Sequence, residues 1–245
     1  MKGVLLQRVP TCTFLDISHE VQPQQIGQAG FFLSASWPYL PKGCLCLAVV
    51  DPGVGTDRRI LYARKQDRSV LAPDNGLLEF LLAAPGETRI FDATPKCWDP
   101  GVSATFHGRD FFAPLAADLA LGANVDALGR ELDPNELLYL EPASAFQSGP
   151  EITARVVHVD RFGNCILNLA AVDWSSRFDR LHGLRLLVPQ PEPVLFVRTY
   201  AWIPEGSFGL LPGSQGFYEL ACNQASCAKR LGLKIGDQAT LRIED

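Results

Sequence analysis

Leu45-Cys46-Leu47-Ala48-Val49-Val50, running directly into Asp51-Pro52-Gly53-Val54-Gly55, is the stretch on which the fold turns. A continuous apolar run of this length reads as a strand covered on both faces, as in a parallel sheet. The loop that follows places Asp51 outside the carboxyl end of that strand, where ligands bind in open α/β sheets. Working outward, Pro23 opens a helix-like stretch with Ile26, Ala29, Leu33 and Trp37 at helical spacing. Residues 59–63, 70–71 and 89–91 read as strands. Residues 77–82 read as a helix, and so do residues 114–121, which Gly122 stops. Alternation of this kind predicts an α/β layer architecture.

The pattern breaks at Glu141-Pro-Ala-Ser-Ala-Phe-Gln-Ser-Gly-Pro150, whose Pro, Ser and Gly content reads as a linker. Short strands follow at 153–159, 166–169, 184–188, 194–200, 217–221 and 239–243, with one helix-like stretch at 225–231. That pattern suits a small β-barrel or sandwich. The expected fold class is therefore an α/β N-terminal domain with a mainly parallel sheet, over residues 1–148, followed by a small C-terminal β domain over 149–245. The tetrapeptide Asp-Pro-Gly-Val occurs at 51–54 and at 99–102, but its surroundings differ and no repeat is inferred.

Composition narrows the function classes. The 245 residues are 47% hydrophobic and 20% charged, with net charge −5, an ordinary globular balance. Lys and Arg are not clustered, which argues against a nucleic-acid partner. The apolar run at 44–50 is too short to span a bilayer, so no membrane partner is expected. The N-terminal apolar stretch is too short for a signal-peptide core. The odd set of cysteines (Cys12, Cys44, Cys46, Cys97, Cys165, Cys222 and Cys227) lies mostly in apolar segments and reads as reduced core residues of a cytoplasmic protein. Cys44 and Cys46 are spaced C-x-C without a second pair, so no zinc site is expected.

Four clusters could carry chemistry. In Asp51-Pro52-Gly53-Val54-Gly55-Thr56-Asp57-Arg58-Arg59, the glycines allow a tight loop returning Arg58 towards Asp51; a surface turn with an ion pair is the alternative. In Thr105-Phe106-His107-Gly108-Arg109-Asp110, His107 is the side chain readiest to act as a base near neutral pH, or else a hydrogen-bonded structural residue. In Asp160-Arg161-Phe162-Gly163-Asn164, Phe offers a stacking face and Asn a donor and acceptor, in what also reads as a plain hairpin turn. Ser214-Gln215-Gly216-Phe217-Tyr218-Glu219 is a turn running into a strand and says little alone.

Taken in order, with Asp16-Ile17-Ser18-His19 and Ala72-Pro73-Asp74-Asn75-Gly76, these motifs resemble the S-adenosylmethionine hydrolase family, formerly the domain-of-unknown-function 62 family, which is similar to the fluorinases and chlorinases. The resemblance spans the chain and implies the following. The fold is an α/β domain plus a C-terminal β-barrel. The assembly is a homotrimer with sites between subunits. The reaction is attack of water on the ribose C5′ of S-adenosylmethionine, with no metal and no cofactor beyond that small-molecule substrate. Asp51, Arg58 and His107 correspond to the catalytic set, Phe162 and Asn164 to the adenine pocket, Asp160 to the methionine ammonium site and Ser214 to its carboxylate site. Phe106 and Gly108 would line the nucleophile pocket. The halogenases carry Tyr at the position of Asp51 and Ser at that of Gly108, which favours water here over halide. Family members also carry a strand and a Thr-Asp-Phe-Gly loop ahead of the segment matching Met1-Lys2-Gly3, so the sheet's first strand and a ribose-holding Asp are expected to be missing. A halide-using transferase and a non-catalytic adenosyl-ligand binder are the alternative readings.

Overall fold

The computed structural model describes residues 1–95, 101–140, 145–178 and 183–244. Cys97, Asp99, Pro100 and the start of the linker-like stretch, residues 141–144, lie outside them. The chain divides into two compact units, Met1–Glu141 and Pro142–Asp245.

The first unit contains α1 (Lys2–Arg8), α2 (Ile26–Ser36), β1 (Leu45–Leu47), β2 (Ile60–Lys65), β3 (Arg68–Pro73), α3 (Glu79–Ala83), β4 (Thr88–Asp92) and α4 (Ala113–Ala120). Its four strands form one sheet in the order β1-β3-β2-β4. Side chains alternate between the two faces, as strand geometry requires. Leu61, Ala63, Val70 and Ile90 pack with Leu33 and Trp37 on the α2 side and with Leu77 and Leu81 beside α3. Ile60, Tyr62, Leu71 and Phe91 pack on the opposite face with Leu5 of α1 and Ala113, Ala116 and Ala117 of α4. The result is a helix–sheet–helix sandwich, an α/β layer arrangement.

The sheet is mixed, not mainly parallel. Only β1 and β3 run parallel; β2 pairs antiparallel with both β3 and β4. The cause is the connection between β2 and β3, which is only Gln66-Asp67, with Gln66 at φ 56°. A parallel pairing needs a crossover of a dozen residues or more, and a two-residue connection permits only a hairpin. The apolar run at 45–50 is also an edge, not an interior, strand: regular pairing covers only Leu45–Leu47, all partly exposed.

The second unit contains β5 (Phe146–Ser148), β6 (Glu151–Val159), β7 (Cys165–Ala170), α5 (Ala171–Phe178), β8 (Gly183–Val188), β9 (Glu192–Phe196), β10 (Phe208–Pro212), β11 (Phe217–Cys222), α6 (Cys227–Leu231) and β12 (Gln238–Glu244). The strands run in the order β12-β8-β9-β10-β11-β7-β6, and β12 also pairs with β6, which closes a β-barrel. β5 lies outside the ring on β6, so residues 146–148 of the linker-like stretch are strand. Its core is built from inward residues such as Ile152, Leu167, Leu186, Leu210, Leu220 and Leu241. Trp174 and Phe178 of α5 belong to the same core. Cys12, Cys44, Cys46, Cys165, Cys222 and Cys227 are free thiols. Burial pushes the Cys46 thiol up to about 12, so it is a neutral apolar residue rather than a thiolate. No helix among the described residues is long and apolar enough to cross a membrane.

Phe178 is the keystone of the aromatic cluster. It meets the Tyr218 ring edge-on at 4.7 Å and stacks on Phe196 at 5.5 Å, with 1% of its surface exposed. Phe178→Ala should cost about 3–5 kcal/mol of stability through lost burial and a cavity. Urea denaturation measures this, and a loss below about 1 kcal/mol would contradict the packing described.

Candidate active site

Asp51, Arg58 and His107 converge in the first unit. The loop after β1 folds back on itself through Val54 N–H to Asp51 C=O (3.3 Å) and Thr56 N–H to Gly53 C=O (3.1 Å). Gly55 sits at φ 82°, and a Cβ there would stand 2.7 Å from the carbonyl oxygen of Ala104. Only glycine fits both demands. The Asp51 loop therefore lies directly against the segment that leads into His107. His107 precedes a single π-helical turn, Gly108–Phe112, which runs into α4. Such turns are uncommon and recur at functional sites.

The Arg58 guanidinium joins the three residues. Its Nε donates to Asp51 Oδ1 at 2.7 Å and to Oδ2 at 2.8 Å, and Nη2 donates to Oδ2 as well. Nη2 also lies 3.1 Å from His107 Nδ1. Both charged side chains are deeply buried, at 5% and 6% exposure. A guanidinium can only donate, so Nδ1 of His107 is the acceptor. Burial, and next the positive charge of Arg58, hold His107 below its ordinary value of 6.5. The ring is therefore neutral near pH 7, with its proton on Nε2. Arg58 also lies over the Phe112 ring, 6.0 Å from its centre. Its Nη1 is buried and finds no hydrogen-bond partner among the described residues. A buried donor left unpaired costs about 1–3 kcal/mol, so this atom is suited to an oxygen brought by a ligand.

Phe106 and Gly108 flank His107. Phe106 is exposed, with the Arg109 guanidinium over its ring at 5.0 Å. Arg109 in turn pairs with Asp110, and that bond, then the Ser103 N–H, holds the Asp110 carboxyl down at about 2. Gly108 is enclosed: a Cβ there would lie 3.3 Å from Met1 Sδ and 3.7 Å from Val49 Cγ1.

Asp160, Phe162 and Asn164 share one turn of the second unit, between β6 and β7. Asp160 Oδ1 accepts from the N–H groups of Phe162 (2.8 Å) and Asn164 (2.9 Å), and Oδ2 accepts from Asn164 Nδ2 at 3.0 Å. Asp160 is thus the internal staple of the turn, and one N–H of the Asn164 amide is committed to it. Gly163, at φ 86°, packs so tightly on Ser226 that a Cβ would lie 2.0 Å from its hydroxyl. Phe162 projects outward, 65% exposed, with Arg161 over its ring at 4.8 Å. Ser214 lies exposed in the turn between β10 and β11.

Two features escaped sequence reasoning. Glu219 is 3% exposed on β11 and accepts the Tyr200 hydroxyl, and burial pushes its carboxyl up. A glutamate inside the apolar run Phe217-Tyr218-Glu219-Leu220-Ala221 was the available signal. Asp74 and Asn75, quoted for their motif but given no role, bond Arg59 and Val50, the chain neighbours of Arg58 and Asp51.

Comparisons with known proteins agree on one family. Residues 1–129 match the SAM hydroxide adenosyltransferase N-terminal domain, and residues 154–240 match the C-terminal domain of the same name. The (R)-S-adenosyl-L-methionine hydrolase of Thermus thermophilus is 40% identical over 96% of this chain and 90% of its own length. That of Salinispora tropica is 38% identical over 96% and 88%. Among solved structures, an uncharacterized conserved protein from Thermotoga maritima superposes with a TM-score of 0.84 at 28% identity, covering 98% of this chain and 93% of that one.

The geometry around His107 fixes its titration. Its folded-state value lies below 6.5, so the folded chain binds fewer protons than the unfolded chain in that range. Its contribution to stability is present above about pH 6.5 and is lost as the pH falls through the folded-state value. An NMR titration should place the His107 midpoint below 6.5, with the neutral ring protonated at Nε2 and not at Nδ1. His158, also held low by burial, has the same sign, so comparison with His107→Gln isolates the His107 share. A midpoint above 6.5, or an Nδ1–H tautomer, would refute the assignment.

Proposed function

The chain belongs to the SAM hydroxide adenosyltransferase family, and we propose that it hydrolyses S-adenosyl-L-methionine to adenosine and L-methionine by attack of water on the ribose C5′. The observation that carries this reading is the buried Asp51–Arg58–His107 constellation with an unsatisfied Arg58 donor.

The sulfonium leaves as a neutral thioether, so no acid is needed at sulfur, and the proposed reaction uses no cofactor. Water is the weak partner. Arg58 Nη1 holds its oxygen and stabilises hydroxide character as the O–H bond weakens. Asp51 takes the proton, because the neutral His107 ring already has Nε2 protonated and Nδ1 engaged by Arg58. His107 accepts from Nη2 and so keeps the guanidinium turned towards Asp51. Gly108 adds no side chain of its own to the tight space beside His107 that Met1 and Val49 border. A halide would meet the Asp51 carboxylate at close range, and like-charge repulsion disfavours it.

Phe162 supplies a stacking face for adenine, and Asn164 Oδ1 an acceptor for its amino group. Asp160 Oδ2 faces the methionine ammonium, and Ser214 its carboxylate. We further propose a cytoplasmic homotrimer in which these second-unit residues serve the Asp51 site of a neighbouring subunit.

In water enriched in ¹⁸O, the label should enter the 5′-hydroxyl of adenosine and not methionine; label in methionine, or no adenosine at all, would reject the reading. His107→Ala should lower kcat by about a hundredfold, through loss of the guanidinium's orientation, while leaving the dissociation constant for S-adenosylmethionine nearly unchanged. Equal losses in both would make His107 a binding residue. Light scattering should report three chains per particle, and a fully active monomer would remove the trimer from the proposal.

A further inference from the structure

We infer that Asn75 is a positioning residue for this reaction, setting Asp51 against Arg58 through the carbonyl of Val50; the inference rests on the hydrolase reading above. Past Leu47 the register between β1 and β3 ends, and one further backbone bond, Ala48 N–H to Leu71 C=O at 3.0 Å, carries the pairing on. The Asn75 side chain then continues the ladder. Its Nδ2 donates to the Val50 carbonyl at 2.9 Å, and its Oδ1 accepts the Leu77 N–H at 3.2 Å, so the orientation of the amide is fixed from both ends. Val50 is bonded directly to Asp51, and a shift of its carbonyl moves the carboxylate.

The preceding residue clamps the other half of the pair. Asp74, 3% exposed, accepts from Arg59 Nε at 2.8 Å and Nη2 at 2.6 Å, and from the Leu138 N–H at 3.0 Å. Its own N–H donates to the Arg59 carbonyl at 3.0 Å. One dipeptide therefore pins Val50 and Arg59, and Asp51 and Arg58 are the residues immediately inside those pins. A buried pair bonded through both Nε and Nη2 tolerates little displacement, so the clamp determines how the guanidinium and carboxylate meet.

The test is Asn75→Asp, which keeps the side chain's size and its acceptor for Leu77 but turns an oxygen, not a donor, towards the Val50 carbonyl. Adenosine release should fall about ten- to a hundredfold in kcat, with KM changed by no more than about twofold. In an Asp51→Asn background the same change should have little further effect, because the carboxylate it positions is gone. Losses that multiply in the double variant would overturn the inference and leave Asn75 a folding residue. Hydrogen exchange gives a readout without turnover: peptides covering residues 50–59 should exchange faster in Asn75→Asp while β2 and β4 stay protected. Unchanged exchange over 50–59 would also overturn it. If Asn75→Asp does not fold, Asn75→Ser, too short to reach Val50, carries the same expectations. A wild-type chain that releases no adenosine would defeat the hydrolase reading, and the exchange result would still decide the clamp.

Discussion

The ion pair between Arg58 and Asp51 is the constraint around which the first unit's loops are arranged. Both partners are almost wholly withdrawn from water. Removing one partner of such a pair typically costs about 3–5 kcal/mol, because the other charge is left uncompensated. The cost of burying the pair is offset only if every nearby element serves it. Gly55 lets the loop close, the π-helical turn delivers His107, Phe112 underlies the guanidinium, and the Asp74-Asn75 dipeptide holds the flanking backbone. A pair this demanding is a poor device for stability and a good one for chemistry. It sets a carboxylate and a cation at fixed separation beside an unsatisfied donor.

The electrostatics also sort the three residues. A histidine near a carboxylate usually becomes more basic, but burial, and next the positive charge of Arg58, outweigh the pull of Asp51 and hold His107 low. The neutral ring offers Nδ1 to Arg58 and keeps its proton on Nε2. The distinction depends on which ring nitrogen faces the guanidinium, a feature that sequence spacing cannot encode.

Much of the architecture was legible from periodicity. The helical spacing of Ile26, Ala29 and Leu33 marks α2, and the strand-rich second half closes into a barrel. The sequence points to a parallel sheet where the fold has a mixed one, because a long apolar run looks the same at an edge as in a centre and because the Gln66-Asp67 connection carries neither Gly nor Asn to advertise a hairpin. Helix α5 leaves a fainter mark, Trp174 and Phe178 standing four residues apart at the spacing of one helical face. At the site, loop placement singles out the segments holding Asp51, Arg58 and His107 but leaves a structural reading open for each; the family resemblance groups them, and the fold brings them together. Asn75 stayed silent because its effect passes through the carbonyl of Val50, and main-chain contacts leave no pattern in residue type.

The pairing of β6 with β12 has a consequence for how this chain could be rebuilt. The barrel's first and last ring strands are neighbours, so its chain enters and leaves at the same place. A polypeptide whose ends meet can be opened at an exposed hairpin and rejoined at the old ends without disturbing any ladder. The second unit is in that sense a portable cassette: a ring that can be re-cut, or set into a host loop, while the turn carrying Asp160, Phe162 and Asn164 keeps its shape.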